Sequence, residues 1–182
     1  MTYSRFAATL VILCILSHSG CDTGLAPLVE RDTGFSGVIH FKNWPPPNSV
    51  LELRLVAFKQ YPTDSASILI ALYQGRVVVY PPVGTPGFSK WADSSRTKLA
   101  DSLRFEITTN TPGSTLELIK YDYVALALRY GPNLLSDWRP AGVYTTTPGS
   151  FDPAPVRVLL HRIIPDINIE VDFSNPPPRP WR

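Results

Sequence analysis

Alternation of apolar and polar residues is the strongest pattern in the chain. In residues 51–57 (LELRLVA) every second residue is leucine or alanine, and residues 102–107 (SLRFEI), 156–161 (VRVLLH) and 167–173 (INIEVDF) repeat this period of two. Because successive side chains of a strand point to opposite faces, each segment is predicted to be a strand with one buried and one wetter face. The residues predicted on the buried faces are Leu51, Leu53, Leu55, Ala57, Leu103, Phe105, Ile107, Val156, Val158, Leu160, Ile167, Ile169, Val171 and Phe173. Those predicted on the wetter faces are Glu52, Arg54, Arg104, Glu106, Arg157, His161, Asn168, Glu170 and Asp172.

Other segments complete a set of short strands. Residues 121–130 (YDYVALALRY) are apolar at most positions, which predicts a central strand covered on both faces. Residues 35–42, 76–80 and 141–146 are shorter candidates, and segments rich in proline and glycine separate them. Seven or eight short strands in one domain predict an all-β fold, a two-sheet sandwich.

Two local signals lie between the strands. Thr-Pro-Gly occurs three times, beginning at Thr85, Thr111 and Thr147, and Pro-Gly suits the central pair of a type II turn. Residues 64–75 (DSASILIALYQG) place an aspartate before a run of apolar residues and a glycine after it. An aspartate N-cap and a C-terminal glycine predict one short helix of two or three turns here.

The first twenty residues have the layout of a secretory signal peptide. Arg5 precedes an unbroken run of apolar or small residues at 6–16, and small polar residues follow. A run of this length falls short of the roughly 20 residues that a membrane-spanning helix needs. Residues 1–20 are therefore predicted to be a helical signal peptide, and Cys14 would be removed with it.

Cys21 has two interpretations. Ser19, Gly20 and Cys21 resemble the end of a bacterial lipoprotein signal, after which the cysteine is lipidated and becomes the mature N-terminus. That resemblance implies a secreted protein anchored by lipid to a membrane of the bacterial cell envelope, without a spanning segment. Ordinary cleavage after Ser19 is the alternative, and it would leave Cys21 as a lone thiol in an oxidising compartment.

Composition indicates one folded domain. Removal of residues 1–20 leaves 182 − 20 = 162 residues, the size of a single domain. An apolar content of 44% is too high for a disordered chain, even with 19 prolines. The formal net charge of +2, without runs of like charge, argues against nucleic acid or an acidic membrane surface as the main partner. We predict a tether at residues 21–34, a β domain at 35–175 and a proline-rich tail at 176–182.

The strand segments also carry a family resemblance. GFSGVIHF, LRLVAFK, YDYVALALRYGPN, SDWRPAGVY and INIEVDF together resemble the carboxypeptidase-regulatory-like and transthyretin-like group of β-sandwich domains. More narrowly, they resemble bacterial envelope lipoproteins built on that fold. Hydroxyisourate hydrolases share the fold and use histidines, an arginine and a terminal Tyr-Arg-Gly-Ser, but this chain ends in NPPPRPWR. The resemblance therefore implies a β-sandwich of the prealbumin or immunoglobulin-like kind and no hydrolase site.

Motifs for catalysis or metal binding are missing from the sequence. It contains no Gly-x-Ser-x-Gly elbow, no Cys-x-x-Cys and no His-Glu-x-x-His. His40 and His161 are predicted on outward, solvated strand faces. Glu170 and Asp172 share a face and could join Asp152 around calcium, although solvated surface charges are the favoured interpretation. We predict no catalytic residue, no metal and no cofactor.

Four aromatic residues are the best functional clue. Trp44, Trp91, Tyr130 and Trp138 lie in or beside predicted loops, where exposed rings suit a sugar ring or a protein partner. The favoured interpretation is that they cap the open ends of the sandwich, with Trp138 the best candidate for burial. The sequence thus predicts a lipid-anchored, non-catalytic envelope module whose partner is a glycan or an envelope protein. A carbohydrate-binding module is the first alternative, and a hydrolase is the second.

Overall fold

A computed structural model describes residues 32–134 and 136–180. The regular structure of this part of the chain is mostly β-strand, with several sheets and one α-helix, and it is compatible with an all-β sandwich. None of its helices is long and apolar enough to cross a membrane. The predicted signal peptide, Cys21 and most of the predicted tether lie outside the described residues.

The described part of the chain contains ten strands and one α-helix. They are β1 (Gly34–Lys42), β2 (Glu52–Phe58), α1 (Ser65–Tyr73), β3 (Val77–Tyr80), β4 (Ser102–Thr108), β5 (Lys120–Tyr121), β6 (Tyr123–Arg129), β7 (Trp138–Val143), β8 (Val156–Arg157), β9 (Ile163–Ile164) and β10 (Ile169–Asp172). A single 3-10 turn, Pro47–Ser49, lies before β2. The sheet begins earlier than predicted, because Thr33 and Gly34, assigned to the tether, already pair with the strand-end residue Thr108 and its neighbour Thr109.

Two four-stranded sheets enclose the main core. In the first, β1 lies between β4, which is antiparallel to it, and β10 and β9, which are parallel to it. The second has the antiparallel order β3–β2–β6–β7. Strands β5 and β8 form a separate pair. One buried cluster contains side chains of both larger sheets, including Phe35, Ile107, Leu55 and Leu126, so apolar burial joins the sheets.

Hydrogen bonds between connections show which strand ends lie together. Lys90 donates from its ammonium to the Val50 carbonyl, just before β2, and accepts at its carbonyl from the Ala100 N–H, just before β4. Ser102, the first residue of β4, pairs with His40 near the end of β1. The start of β2 and the end of β1 therefore share one end of the domain, here named the cleft end.

The opposite end is named the entry end, because β1 begins there. Thr115 donates from its hydroxyl to the Val77 carbonyl, and Lys59 pairs with Glu117 at 2.7 Å, so the β4–β5 connection contacts the residues next to β2 and β3. The strand-terminal residues at the entry end are Gly34, Phe58, Val77, Thr108, Tyr123 and Val143.

Helix α1 forms where the sequence predicts it. Asp64 caps it by accepting from the Ser67 N–H at 2.7 Å, and the Ser67 side chain completes a capping box. Gly75 follows the helix with a φ of 64°, in the left-handed region that favours glycine. Ile68 and Ala71 pack against a second cluster on the outer face of the β3–β2–β6–β7 sheet.

Several local predictions need correction. Leu51 and Leu160, predicted in the core, are 50% and 61% exposed because each lies just outside a strand. His161 is not in a strand and has a φ of 54°. The Pro-Gly turns at Thr111 and Thr147 form as predicted, with the glycine at positive φ.

The turn predicted to begin at Thr85 begins three residues earlier. It spans Pro82 to Thr85, with Gly84 at a φ of 91° in the position that type II turns reserve for glycine. Gly87 instead lies against the start of β2, where an added Cβ would come within 2.7 Å of the Leu53 carbonyl oxygen. Glycine is therefore needed at this position because its backbone lies too close to that of Leu53 to leave room for a side chain.

Candidate functional site

An open cleft lies at the cleft end of the domain. It runs between the segment that enters β2 and the connection between β3 and β4, and its volume is about 710 Å³. A smaller depression of about 410 Å³ shares part of this lining and extends to Arg129. The cleft lining combines apolar, charged and amide side chains, among them Asn48, Leu51, Phe88, Trp91, Asp93 and Arg96.

A buried arginine holds the connection that forms one wall of the cleft. Arg54 is only 6% exposed, although the sequence pattern predicts it on the wetter face of β2. Its guanidinium donates to the carbonyls of Pro81, Pro82 and Thr85, with distances of 2.7 Å to Pro82 and 2.6 Å to Thr85. These contacts fix the segment after β3 against β2.

A carboxylate balances this buried charge. Glu52 pairs with Arg54 and also accepts from Nε of Arg129 at 2.9 Å. Since β2 pairs with β6, Glu52 and Arg129 face each other across the two strands. Glu52 thus connects Arg54, which binds the β3–β4 connection, to Arg129 of β6. Glu52 also lines both depressions.

Lys90 holds the opposite wall. Its ammonium donates to the Val50 carbonyl at 2.8 Å and also to the carbonyl of Pro47, and it lies 5.5 Å from the ring centre of Trp91. Burial lowers the pKa of Lys90, and the nearby positive charge of Arg96 lowers it further. Lys90 therefore holds the β3–β4 connection against the segment that enters β2.

A tight loop places Arg96 at the mouth of the cleft. Asp93 accepts hydrogen bonds from the side chains of Ser95 and Thr97, and these bonds lower the pKa of Asp93. Arg96 lies between them with a φ of 59° and is exposed. Its guanidinium is the cationic group that this loop presents to solvent.

Trp44 and Trp91 occupy different surroundings. Trp91 lines the cleft and is half-buried. Trp44 packs at 4.8 Å from the ring centre of Phe41 and 4.6 Å from that of Phe173, and its Nε1 donates to the Ala100 carbonyl at 2.8 Å. Trp44 thus covers the core at the cleft end.

Tyr130 and Trp138 lie at the same end but do not line the cleft. The Tyr130 hydroxyl accepts from Arg179 at 3.0 Å, and the guanidinium groups of Arg139 and Arg179 lie within 6 Å of its ring. Trp138 begins β7, is half-buried, and donates from Nε1 to the Leu134 carbonyl. Of the four predicted aromatic residues, Trp91 alone lines the cleft.

Two of the residues weighed for catalysis or metal binding, His40 and Glu170, are neighbours across the paired strands β1 and β10. His40 is in β1, and His161 is in the connection between β8 and β9. Glu170 pairs with Lys42 at 2.7 Å, while Asp172 accepts from Asn43 and Ser174. Within residues 32–134 and 136–180, no three acidic, histidine or cysteine side chains are grouped to hold a metal ion.

Asp172 allows a prediction on pH. Hydrogen bonds from Ser174 and Asn43 lower its pKa from the usual 3.8 to about 2. Because the folded pKa lies below the unfolded one, this carboxylate stabilises the fold fully above pH 4 and loses the effect as the pH falls towards 2. We expect Asp172→Asn to lower the melting temperature at pH 6 and to converge with the wild type near pH 2. A constant difference across this range would contradict the assignment.

The sequence pattern points to only part of this site. Trp91 stands out as a loop aromatic, but Asn48, Lys90 and Arg96 belong to irregular segments without periodicity. Together the lining can stack a flat apolar surface on an indole ring and present cationic and amide donors beside it. Comparison of the chain with protein-family models, with curated proteins and with solved structures finds no match.

Proposed function

We propose that this chain is a secreted lipoprotein of the bacterial cell envelope, anchored through Cys21, with a non-catalytic β domain that serves as a structural or interaction module. The observation that carries the proposal is the order of an apolar run, Ser19, Gly20 and Cys21. The prealbumin-like topology and the carboxypeptidase-regulatory-like resemblance belong to the same proposal, supported by the strand segments. An envelope protein or glycan is the proposed partner.

The positions of the chain entry and the cleft, at opposite ends of the domain, support this function. Thr33 and Gly34 enter the sheet at the entry end, while the cleft lies at the other end of the strands. Residues 22–32 are eleven residues long, and a chain of that length reaches at most about 40 Å. An anchor at Cys21 would therefore keep the entry end within reach of the membrane.

The anchor is tested by the mass of the mature N-terminal peptide, extracted with detergent from membranes of the expressing cells. We expect the peptide to begin at Cys21 and to carry acyl chains. Cys21→Ser should move the protein from the membrane fraction to the soluble fraction. A wild-type peptide that begins at Gly20 with an unmodified thiol would overturn the proposal.

Carbohydrate binding is a second candidate, favoured by the position of Trp91. Its ring is accessible in an open cleft beside the exposed Arg96 and the side chain of Asn48. Sugar rings stack their apolar faces on aromatic rings and use amide and charged groups to bind hydroxyls. Trp44, Tyr130 and Trp138 are outside this cleft, so the candidate depends on Trp91.

Replacement of Trp91 decides between a glycan and another partner. In a glycan array probed with the wild type and Trp91→Ala, we expect a carbohydrate-binding protein to lose about tenfold or more in affinity, since aromatic anchors dominate such contacts. Trp138→Ala is the matched control outside the cleft. Glycan binding that survives Trp91→Ala, or no glycan binding by the wild type, would exclude this candidate.

A further inference from the structure

The surface of helix α1 is unusual for a helix on the outside of a domain. Residues Ser65–Tyr73 (SASILIALY) include no charged residue. Only Ile68 and Ala71 pack against the sheet, whereas Leu69, Ile70 and Leu72 are each more than 40% exposed and Tyr73 is 95% exposed. A surface helix normally exposes polar side chains to water. The outer side of α1 is apolar instead, which is typical of a surface that contacts another molecule.

Exposed apolar side chains are concentrated at the same end of the domain. Tyr61 lies in the connection that contains α1, Leu118 in the connection from β4 to β5, and Leu159 and Leu160 between β8 and β9. The β8–β9 connection adjoins the chain entry, because the His161 N–H donates to the Thr33 hydroxyl and Gly34 donates to the Arg162 carbonyl. These exposed apolar side chains therefore lie at the end of the domain where the chain enters.

We propose that the entry end docks on the lipid bilayer surface, with the outer side of α1 inserted at the boundary between headgroups and acyl chains. The choice of a bilayer rests on the proposed anchor: residues 22–32 join Cys21 to this end and reach at most about 40 Å when extended. A helix with exposed leucine, isoleucine and tyrosine suits the interfacial zone, where apolar side chains leave water and a tyrosine hydroxyl stays hydrated. The lipid and the helix then form two contacts with one membrane.

The docking test measures the environment of two single labels on the full-length lipoprotein. Tyr73→Cys places a fluorescent label on α1, and Val83→Cys places the same label on a side chain that is 76% exposed in the β3–β4 connection. The proteins are reconstituted into vesicles of phosphatidylethanolamine and phosphatidylglycerol that contain a spin-labelled lipid. We expect strong quenching and a blue-shifted emission at residue 73 and neither at residue 83. Equal, water-like emission from both labels would overturn the docking.

Charge substitutions separate docking from anchoring. Ile70→Glu should return the label at residue 73 to water while the protein stays in the vesicle fraction, whereas Leu134→Glu, at the cleft end, should leave the quenching unchanged. Quenching that survives Ile70→Glu would overturn the role of α1. A label at residue 73 that is exposed in pure vesicles but shielded in native envelopes would show that a protein covers the helix, which also overturns the proposal.

Acylation is measured independently on the same preparations. If Cys21 carries lipid and residue 73 remains in water, the anchor holds and the docking is wrong. If Cys21 is not acylated, the anchor is wrong, and a Cys21→Ser variant labelled at residue 73 is mixed with preformed vesicles of the same composition. Quenching in that mixture supports docking by α1 alone, and its absence overturns it.

Discussion

Replacement of Arg54 by alanine is expected to destabilise the domain by about 3–5 kcal/mol, the range seen when one partner of a buried ion pair is removed. The variant leaves the Glu52 carboxylate with Arg129 as its remaining partner and removes the donors to Pro82 and Thr85. For a domain of this size the melting temperature should fall by about 10 °C. Arg54→Lys should recover only part of the loss, because one ammonium cannot replace the planar guanidinium fork.

Thermal unfolding followed by circular dichroism measures this effect, and Arg104→Ala is the matched control. Arg104 lies on the exposed face of β4 and forms no ion pair with any described residue. Its removal should change the stability by less than about 0.5 kcal/mol. Similar melting temperatures for Arg54→Ala and Arg104→Ala would show that the buried contacts of Arg54 are not needed for folding.

Trp44→Ala is expected to cost about 3 kcal/mol, as is usual when a large aromatic side chain is removed from a packed position. The variant loses the ring contacts with Phe41 and Phe173 and leaves the Ala100 carbonyl without its indole donor. Because this stack closes the core at the cleft end, water would reach the side chains beneath it. Urea unfolding followed by circular dichroism gives the free energy of unfolding without dependence on tryptophan emission.

Trp91→Ala is the comparison for this variant. Trp91 lies on the cleft surface, and its pairing with Leu99 uses only backbone atoms. We expect it to change the stability by less than about 1 kcal/mol. An equal loss for both variants would place Trp91 in the packed core and remove the support for its role in ligand binding.

Strand faces are the part of the fold that the sequence predicts best. In β4, Phe105 and Ile107 are buried while Arg104 and Glu106 are exposed, as the alternation requires. Strand β6 is central in its sheet, and its apolar residues are covered by the core on one face and by the α1 cluster on the other. These features depend on local periodicity, which a single sequence contains.

The cleft depends on contacts that no local pattern contains. Arg54 alternates with leucines and is therefore predicted to face water, but the carbonyls that bury it belong to residues about thirty positions later. Lys90 likewise binds the carbonyl of Val50, forty positions earlier. The sequence indicates a loop aromatic at Trp91, whereas the walls beside it arise only when the β3–β4 connection folds back on β2.

The separation between the entry end and the cleft end has an electrostatic consequence. Nine residues of β1 join the two ends, a distance of about 30 Å for an extended strand. Fixed charges are screened over about 8 Å at physiological ionic strength. With the entry end on an anionic bilayer, the Arg96 guanidinium would lie several screening lengths from the headgroups. Its attraction for an anionic ligand would then be independent of the lipid composition beneath the domain.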